Sequence, residues 1–246
     1  MEILQALAAG SFIGAVLGFV GAGGAMLSVP ILLYLFAFSP HQATTAALAI
    51  VFAAAAAGAI PKFRSKDILI KEALVIWSLG SISNIFFSSI ARHISDEFIT
   101  TGFSLILIFA GSSMLISPKY QEMKRMSHST LLFISLIIGS MTGLFGIGGG
   151  FLAIPVLVLF FGTPQAIAAG TSLLIIATNS LISFVGHHAL WTEVKWHIPI
   201  FIGAAAIVVA QIASHYSGRT SPQKLRKSFA YLLFAVSLFT LVKTWL

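Results

Sequence analysis

Two glycine clusters carry the chemistry this chain can do. They are Gly21, Gly23 and Gly24 in "GFVGAGGAMLSVP" (18–30), and Gly146, Gly148, Gly149 and Gly150 in "GLFGIGGGFLAIP" (143–155). Each precedes a short apolar run with a proline, Pro30 or Pro155, which the spacing puts in the first turns of a helix, where a missing N–H is harmless. A helix that starts at such a cluster presents free backbone N–H groups and the positive end of its dipole, an anion site without a basic side chain. Uncharged hydroxyls follow at Thr44, Thr45, Thr171 and Ser172, and these add side-chain donors. Gly14 with Gly18, and Gly139 with Gly143, are also GxxxG pairs, so part of the glycine content serves helix packing.

Other chemistries lack their residues. There is no cysteine, which excludes disulfides and thiolate sites. An intramembrane hydrolase or metalloenzyme needs a nucleophile with its base or a metal cluster, and neither GxSxG nor HExxH occurs. The seven acids, Glu2, Asp67, Glu72, Asp96, Glu97, Glu122 and Glu193, all fall in loops or at segment ends. A cation carrier ordinarily places a carboxylate inside the membrane, so this inventory favours an anion. No enzyme activity, cofactor or metal is expected.

The elements that position these groups are membrane segments. The chain is 58% hydrophobic and only 9% charged over 246 residues, against about 25% charged in soluble domains. The first apolar run lacks a basic leader and a cleavage site and reads as a permanent span. The net charge of +7 belongs to loops facing the cytoplasm, so lipid and a small anion are the expected partners, nucleic acid is not, and a homo-oligomer is left open.

At an offset of 125 residues, Gly14, Gly18, Gly21, Gly23, Gly24, Leu27, Pro30, Leu32 and Phe36 fall on Gly139, Gly143, Gly146, Gly148, Gly149, Leu152, Pro155, Leu157 and Phe161. The chain reads as a duplication: a first repeat over 1–120, a basic linker over 121–128 and a second repeat over 129–246. Each repeat holds five apolar segments, the second of them short, which puts the glycine stretch within the bilayer. If all ten cross, 11 of the Lys and Arg residues share one side and 3 the other; if the short segments turn back, the split is nine to five. The positive-inside rule favours ten crossings with both termini outside. Five is odd, so the repeats are inverted, as in many secondary transporters, and the two glycine breaks face each other near the midplane. The expected fold is all-α and polytopic.

Other polar residues have plain roles. His187 and His188, beside Trp191 and Trp196, read as an interfacial belt, with a proton relay or gate as the alternative. Asn84 and Asn179 read as bonds between helices. The stretches "KFRSKDILIK" (62–71) and "RTSPQKLRK" (219–227) read as cytoplasmic loops that attract anions.

The longer stretch "GLFGIGGGFLAIPVLVLFFGTPQAIAAGTSLLII" (143–176) and its twin (18–51) resemble the sulfite exporter TauE/SafE (4-toluene sulfonate uptake permease) family, over essentially the whole chain. The resemblance implies a secondary transporter of sulfite, sulfonates or related organosulfur anions in the bacterial inner membrane. An anion channel, or a carrier of another small anion, is the alternative. One departure is that "AAL" (46–48) stands where the second repeat has "TSL" (171–173), which tilts the expected site toward the second repeat unless Thr44 and Thr45 compensate.

Overall fold

The computed structural model describes residues 1–91, 95–115, 127–145, 150–217 and 221–245. The helices form where the apolar runs predict them: α1 (Glu2–Val20), α2 (Gly24–Tyr34), α3 (Pro40–Arg64), α4 (Ile70–Ala91), α5 (Asp96–Leu115), α6 (His128–Phe145), α7 (Gly150–Phe161), α8 (Gln165–Gly186), α9 (His197–Ser217) and α10 (Pro222–Trp245). A 3-10 helix spans His188–Glu193. Among the described residues, six helices carry a stretch long and apolar enough to cross a membrane: Glu2–Val20, His41–Arg64, Ile70–Phe87, Gln165–Gly186, His197–Ser217 and Lys227–Trp245. The protein is an all-α polytopic membrane protein. Helices α2 and α7, of 11 and 12 residues, are the short second segments and reach only about 16–18 Å at ~1.5 Å per residue.

The helices sort into two compact units that draw on both halves of the sequence. One holds residues 1–73 and 166–219, the other 74–165 and 220–246. In the first unit α1 lies along α9 through three glycines spaced four apart. A Cβ on Gly10 would strike the backbone of Ile202, one on Gly14 would sit 2.5 Å from the Ala206 carbonyl, and one on Gly18 would meet the backbone of Ala210 and Ser214. Small residues on one face of α1 thus bring two backbones together, which in lipid replaces the missing hydrophobic drive. Helix α3 packs on the same α9, where the Ser214 hydroxyl donates to the Gly58 carbonyl at 2.6 Å.

In the second unit α6 meets α4 at the equivalent place. Gly139 lies against the backbone of Gly80, and the Ser83 hydroxyl donates to the Leu136 carbonyl at 3.0 Å. Helix α10 pairs with α5, with Ser237 donating to the Ser104 carbonyl at 3.0 Å. Helices α5, α6 and α7 surround a cavity of about 760 Å³ whose walls, such as Phe109, Phe133, Ile134 and Pro155, are almost wholly apolar.

The turn after each short helix is built alike at the 125-residue offset. Ala37 (φ 53°) and Gly162 (φ 63°) are left-handed, and the N–H groups of Phe38 and Thr163 donate to the carbonyls of Leu32 and Leu157, each at 3.0 Å. The first turn then leads into a capping box in which Ser39 and Gln42 exchange side-chain and backbone bonds at the start of α3.

Two expectations need correction. Pro30 and Pro155 lie inside α2 and α7, beyond the first turn, because each helix begins directly at the glycines, Gly24 and Gly150. The first glycine turn also does not interrupt a helix in mid-membrane. The 19 residues of α1 reach about 28 Å, close to the ~30 Å hydrocarbon core, before the turn begins. Gly18 is already level with Ser214 in the last turns of α9, so Gly21 to Gly23 close a full-length helix at its end.

Candidate functional site

The first glycine turn is a backbone solution to a close approach. Gly21 caps α1 in the left-handed region (φ 80°), its N–H donating to the Leu17 carbonyl at 2.8 Å, and Gly23 (φ 91°) is the N-cap of α2. A Cβ at Gly21 would stand 2.5 Å from the Cα of Ala169 on α8, so only glycine lets the turn reach the start of that helix. Gly24 opens α2 against the Leu17 side chain and gives its carbonyl to the Ser28 hydroxyl at 2.7 Å. Gly21, Gly23 and Gly24 are all buried.

The start of α8 is a three-way junction. Beside Ala169, a Cβ added to Gly170 would strike the Asp67 carbonyl and stand 3.1 Å from the Lys62 Cβ. Thr171, fully buried, donates to its own helix at Ile167 (2.7 Å) and accepts the Leu69 N–H at 3.1 Å. Its one proton is therefore used, and its structural task is to pin the connection between α3 and α4. Ser172 is fully buried beside it.

Lys62 is the residue that sequence reasoning passed over. It reads as the first residue of a cytoplasmic loop, yet it sits inside α3 with 3% of its surface exposed. Among the described residues it is the one charged side chain that is buried, and Asp67 is the acid that acts on it electrostatically. The Asp67 carboxylate also accepts from the Ser65 hydroxyl at 2.7 Å. A buried charge is costly unless something neutralises it, and Asp67 supplies part of that compensation here. The available signal was local: a lysine directly after an apolar run, within reach of the helix end.

Thr44 and Thr45 lie elsewhere. Both stand near the start of α3, while the junction lies against Lys62 near its end, about 25 Å away at ~1.5 Å per residue. The structure thus brings Gly21 to the start of α8, beside Thr171, Ser172 and the end of α3, and leaves Thr44 and Thr45 at the other end. The Thr45 hydroxyl bonds the His41 carbonyl at 2.8 Å and the His187 Nδ1 at 3.1 Å. With the threonine proton on the carbonyl, Nδ1–H of His187 is the donor, and Nε2 remains for another partner. Burial first, and then the neighbouring His41, push the His187 imidazole below the usual histidine range. Gln42 ties this end to the 3-10 helix by donating to the Glu193 carbonyl at 2.8 Å.

The aromatic belt has the expected residues. Trp191 stacks on Phe184 with centroids 4.6 Å apart, and the Trp196 Nε1–H donates to the Trp191 carbonyl at 2.8 Å. His188 is exposed, whereas His187 is half-buried and bonded to Thr45. Of the second glycine cluster, Gly146, Gly148 and Gly149 lie outside the described residues, and Gly150 is the first residue of α7. No group of three or more metal-ligating side chains occurs among the described residues. The large cavity between α5, α6 and α7 offers almost no polar surface, which does not suit an anion.

Comparison with known proteins agrees with this picture. A "Probable membrane transporter protein" of Xylella fastidiosa (strain 9a5c) is 27% identical over 254 residues, covering 99% of this chain and 97% of its own. Another, MJ0441 of Methanocaldococcus jannaschii, is 38% identical over 93 residues, 36% of this chain and 33% of its own. YunE of Bacillus subtilis (strain 168), also a probable membrane transporter protein, is 21% identical over 222 residues, 78% of this chain and 81% of its own. The profile of the sulfite exporter TauE/SafE family matches residues 6–240, and the chain belongs to that family.

Proposed function

We propose that this membrane transporter is a secondary carrier of small sulfur-containing anions such as sulfite or a sulfonate, working by alternating access in a bacterial inner membrane. The observation that carries the anion reading is one of charge. The acids of the described helices stand at helix ends, while the one buried charged side chain is the cation Lys62, beside the first glycine turn. The sulfur class rests on family membership and on the "GTS" motif, whose Thr171 and Ser172 lie at the same junction.

Alternating access needs two related halves of opposite orientation. In support, Lys62 of α3 meets Gly170 of α8, and the positions 125 residues away, His187 and Thr45, meet as well. Reciprocal contacts of this kind are what a two-fold relation between equivalent elements produces. With the basic loops cytoplasmic, Lys62 stands at the inner end and His187 at the outer, and both chain termini are outside. Sulfite changes its ionisation near neutrality, so a carrier choosing one form gives apparent proton coupling without a carboxylate of its own.

Uptake of radiolabelled sulfite, thiosulfate and methanesulfonate into liposomes holding the purified chain tests this, with sulfate and chloride as competitors. Saturable uptake with counterflow is expected. Unsaturable flux identifies an anion channel, and uptake of chloride or sulfate alone identifies another anion class. Gly23→Val, at a φ of 91°, is expected to abolish uptake while the protein still inserts.

A further inference from the structure

Lys62 and His187 occupy the same position in the two repeats, 125 residues apart, each at the C-terminal end of its repeat's third helix. Each packs on the start of the other repeat's third helix, Lys62 against Gly170 and His187 against Thr45. Packing alone does not ask for this. The preceding equivalent positions, Gly58 and Ser183, Ala54 and Asn179, Ala47 and Ser172, are small or neutral, so cationic chemistry enters only at the two ends. At one end the group is a buried ammonium whose nearby acid, Asp67, is shared with the Ser65 hydroxyl. At the other it is a half-buried imidazole whose Nδ1 is held by Thr45, leaving Nε2 as the atom that gains or loses a proton.

We propose that Lys62 and His187 are paired anion-binding positions at the two ends of the α3 and α8 helices, each binding a small sulfur oxyanion directly, with a fixed charge at the Lys62 end and a proton-dependent one at the His187 end. The proposal rests on the anion-transport reading above and adds the residues that hold the anion at each mouth. Protonation of Nε2 converts it to a charged donor for an oxyanion oxygen, so the His187 end fills with anion in acid and empties in base. The other titratable groups at that end leave this role free. His41 on α3 is a second imidazole of the same sign, Glu193 turns its carbonyl toward Gln42, the ring of His188 faces the Val185 carbonyl at 3.2 Å, and Lys195 and His197 follow beyond the 3-10 helix.

The test uses the full chain in liposomes of neutral lipid, with thiosulfate as probe because it stays a dianion between about pH 4 and about pH 8, a window that reaches below the usual histidine range, where His187 gains its proton. In the wild type the thiosulfate KM is expected to fall about tenfold from the upper to the lower pH, the size of one charge-assisted contact. His187→Gln is expected to hold KM at the high-pH value throughout, and His187→Lys at the low value throughout. Lys62→Gln is expected to raise KM about tenfold at both pH values with the pH profile kept, and Lys62→Arg to restore it. Should Lys62→Gln fail to fold, Lys62→Arg with the two His187 variants still decides: an altered pH profile in Lys62→Arg, or a wild-type one in His187→Gln, overturns the proposal. A response at only one of the two residues overturns their equivalence. Wild-type protein that moves none of sulfite, thiosulfate or methanesulfonate overturns the transport reading itself, whereas wild-type flux with unmoved variants overturns the paired site alone.

Discussion

The α1/α9 seam and the α4/α6 seam use one device with different means. Gly14 and Gly139 are equivalent in the repeat, and both let a helix backbone lie against a partner. Along α1 the contact is made three times, by Gly10, Gly14 and Gly18, and their neighbours on α9 are mostly backbone atoms. Along α6 the position equivalent to Gly10 is Ser135, whose hydroxyl returns to the Leu131 carbonyl of its own helix, and the seam adds the Ser83 to Leu136 bond. The first seam is therefore set by shape, and the second by shape at Gly80 and Gly139 plus a hydrogen bond. A shape-only seam between backbones cannot yield to a larger residue by moving a side chain.

Gly14→Val breaks that comparison most severely. With the Ala206 carbonyl 2.5 Å from the new Cβ, the helices must separate along the whole rail, and a loss of about 3 kcal/mol or more is expected. The measurement is the yield of monodisperse protein and its melting temperature in detergent. Gly21→Ala is the next largest. A left-handed φ of 80° and Ala169 at 2.5 Å together predict a loss of about 2 kcal/mol, read as a lower melting temperature with the protein still inserted.

Ser83→Ala sharpens the comparison by removing only the hydroxyl bond of the second seam. Hydrogen bonds between membrane helices average about 0.6 kcal/mol, so a small drop in melting temperature is expected, and a drop as large as that of Gly14→Val would show that α4/α6 depends on the bond rather than on Gly139. Gly186→Ala is the control. Nothing lies within 4 Å of its added Cβ, and the loss of chain freedom in the unfolded state predicts a gain of about 0.4 kcal/mol.

Helix positions were legible because their signals are local. The apolar run ending at Val20, the glycines after it and the short segment to Tyr34 can all be read without knowing a single neighbour, as can the "SPHQ" start of α3. The 125-residue repeat is equally a property of the string, and the structure places the same left-handed turn at Ala37 and Gly162. The candidate site was legible in part. Gly21 does meet the "GTS" helix at Ala169, but Thr171 spends its hydroxyl on Ile167 and Leu69.

What the sequence by itself determined is the class of the protein and where its helices run, since hydropathy and glycine punctuation act over a few residues. What only the tertiary structure decided is which residues meet. Helices of both repeats mix within each compact unit, Lys62 is buried where Gly170 of α8 approaches it, and His187 bonds to Thr45, 142 positions away in the chain. Such meetings depend on which faces of antiparallel helices come together. That choice is made by close packing of small residues, whose partners the chain does not name.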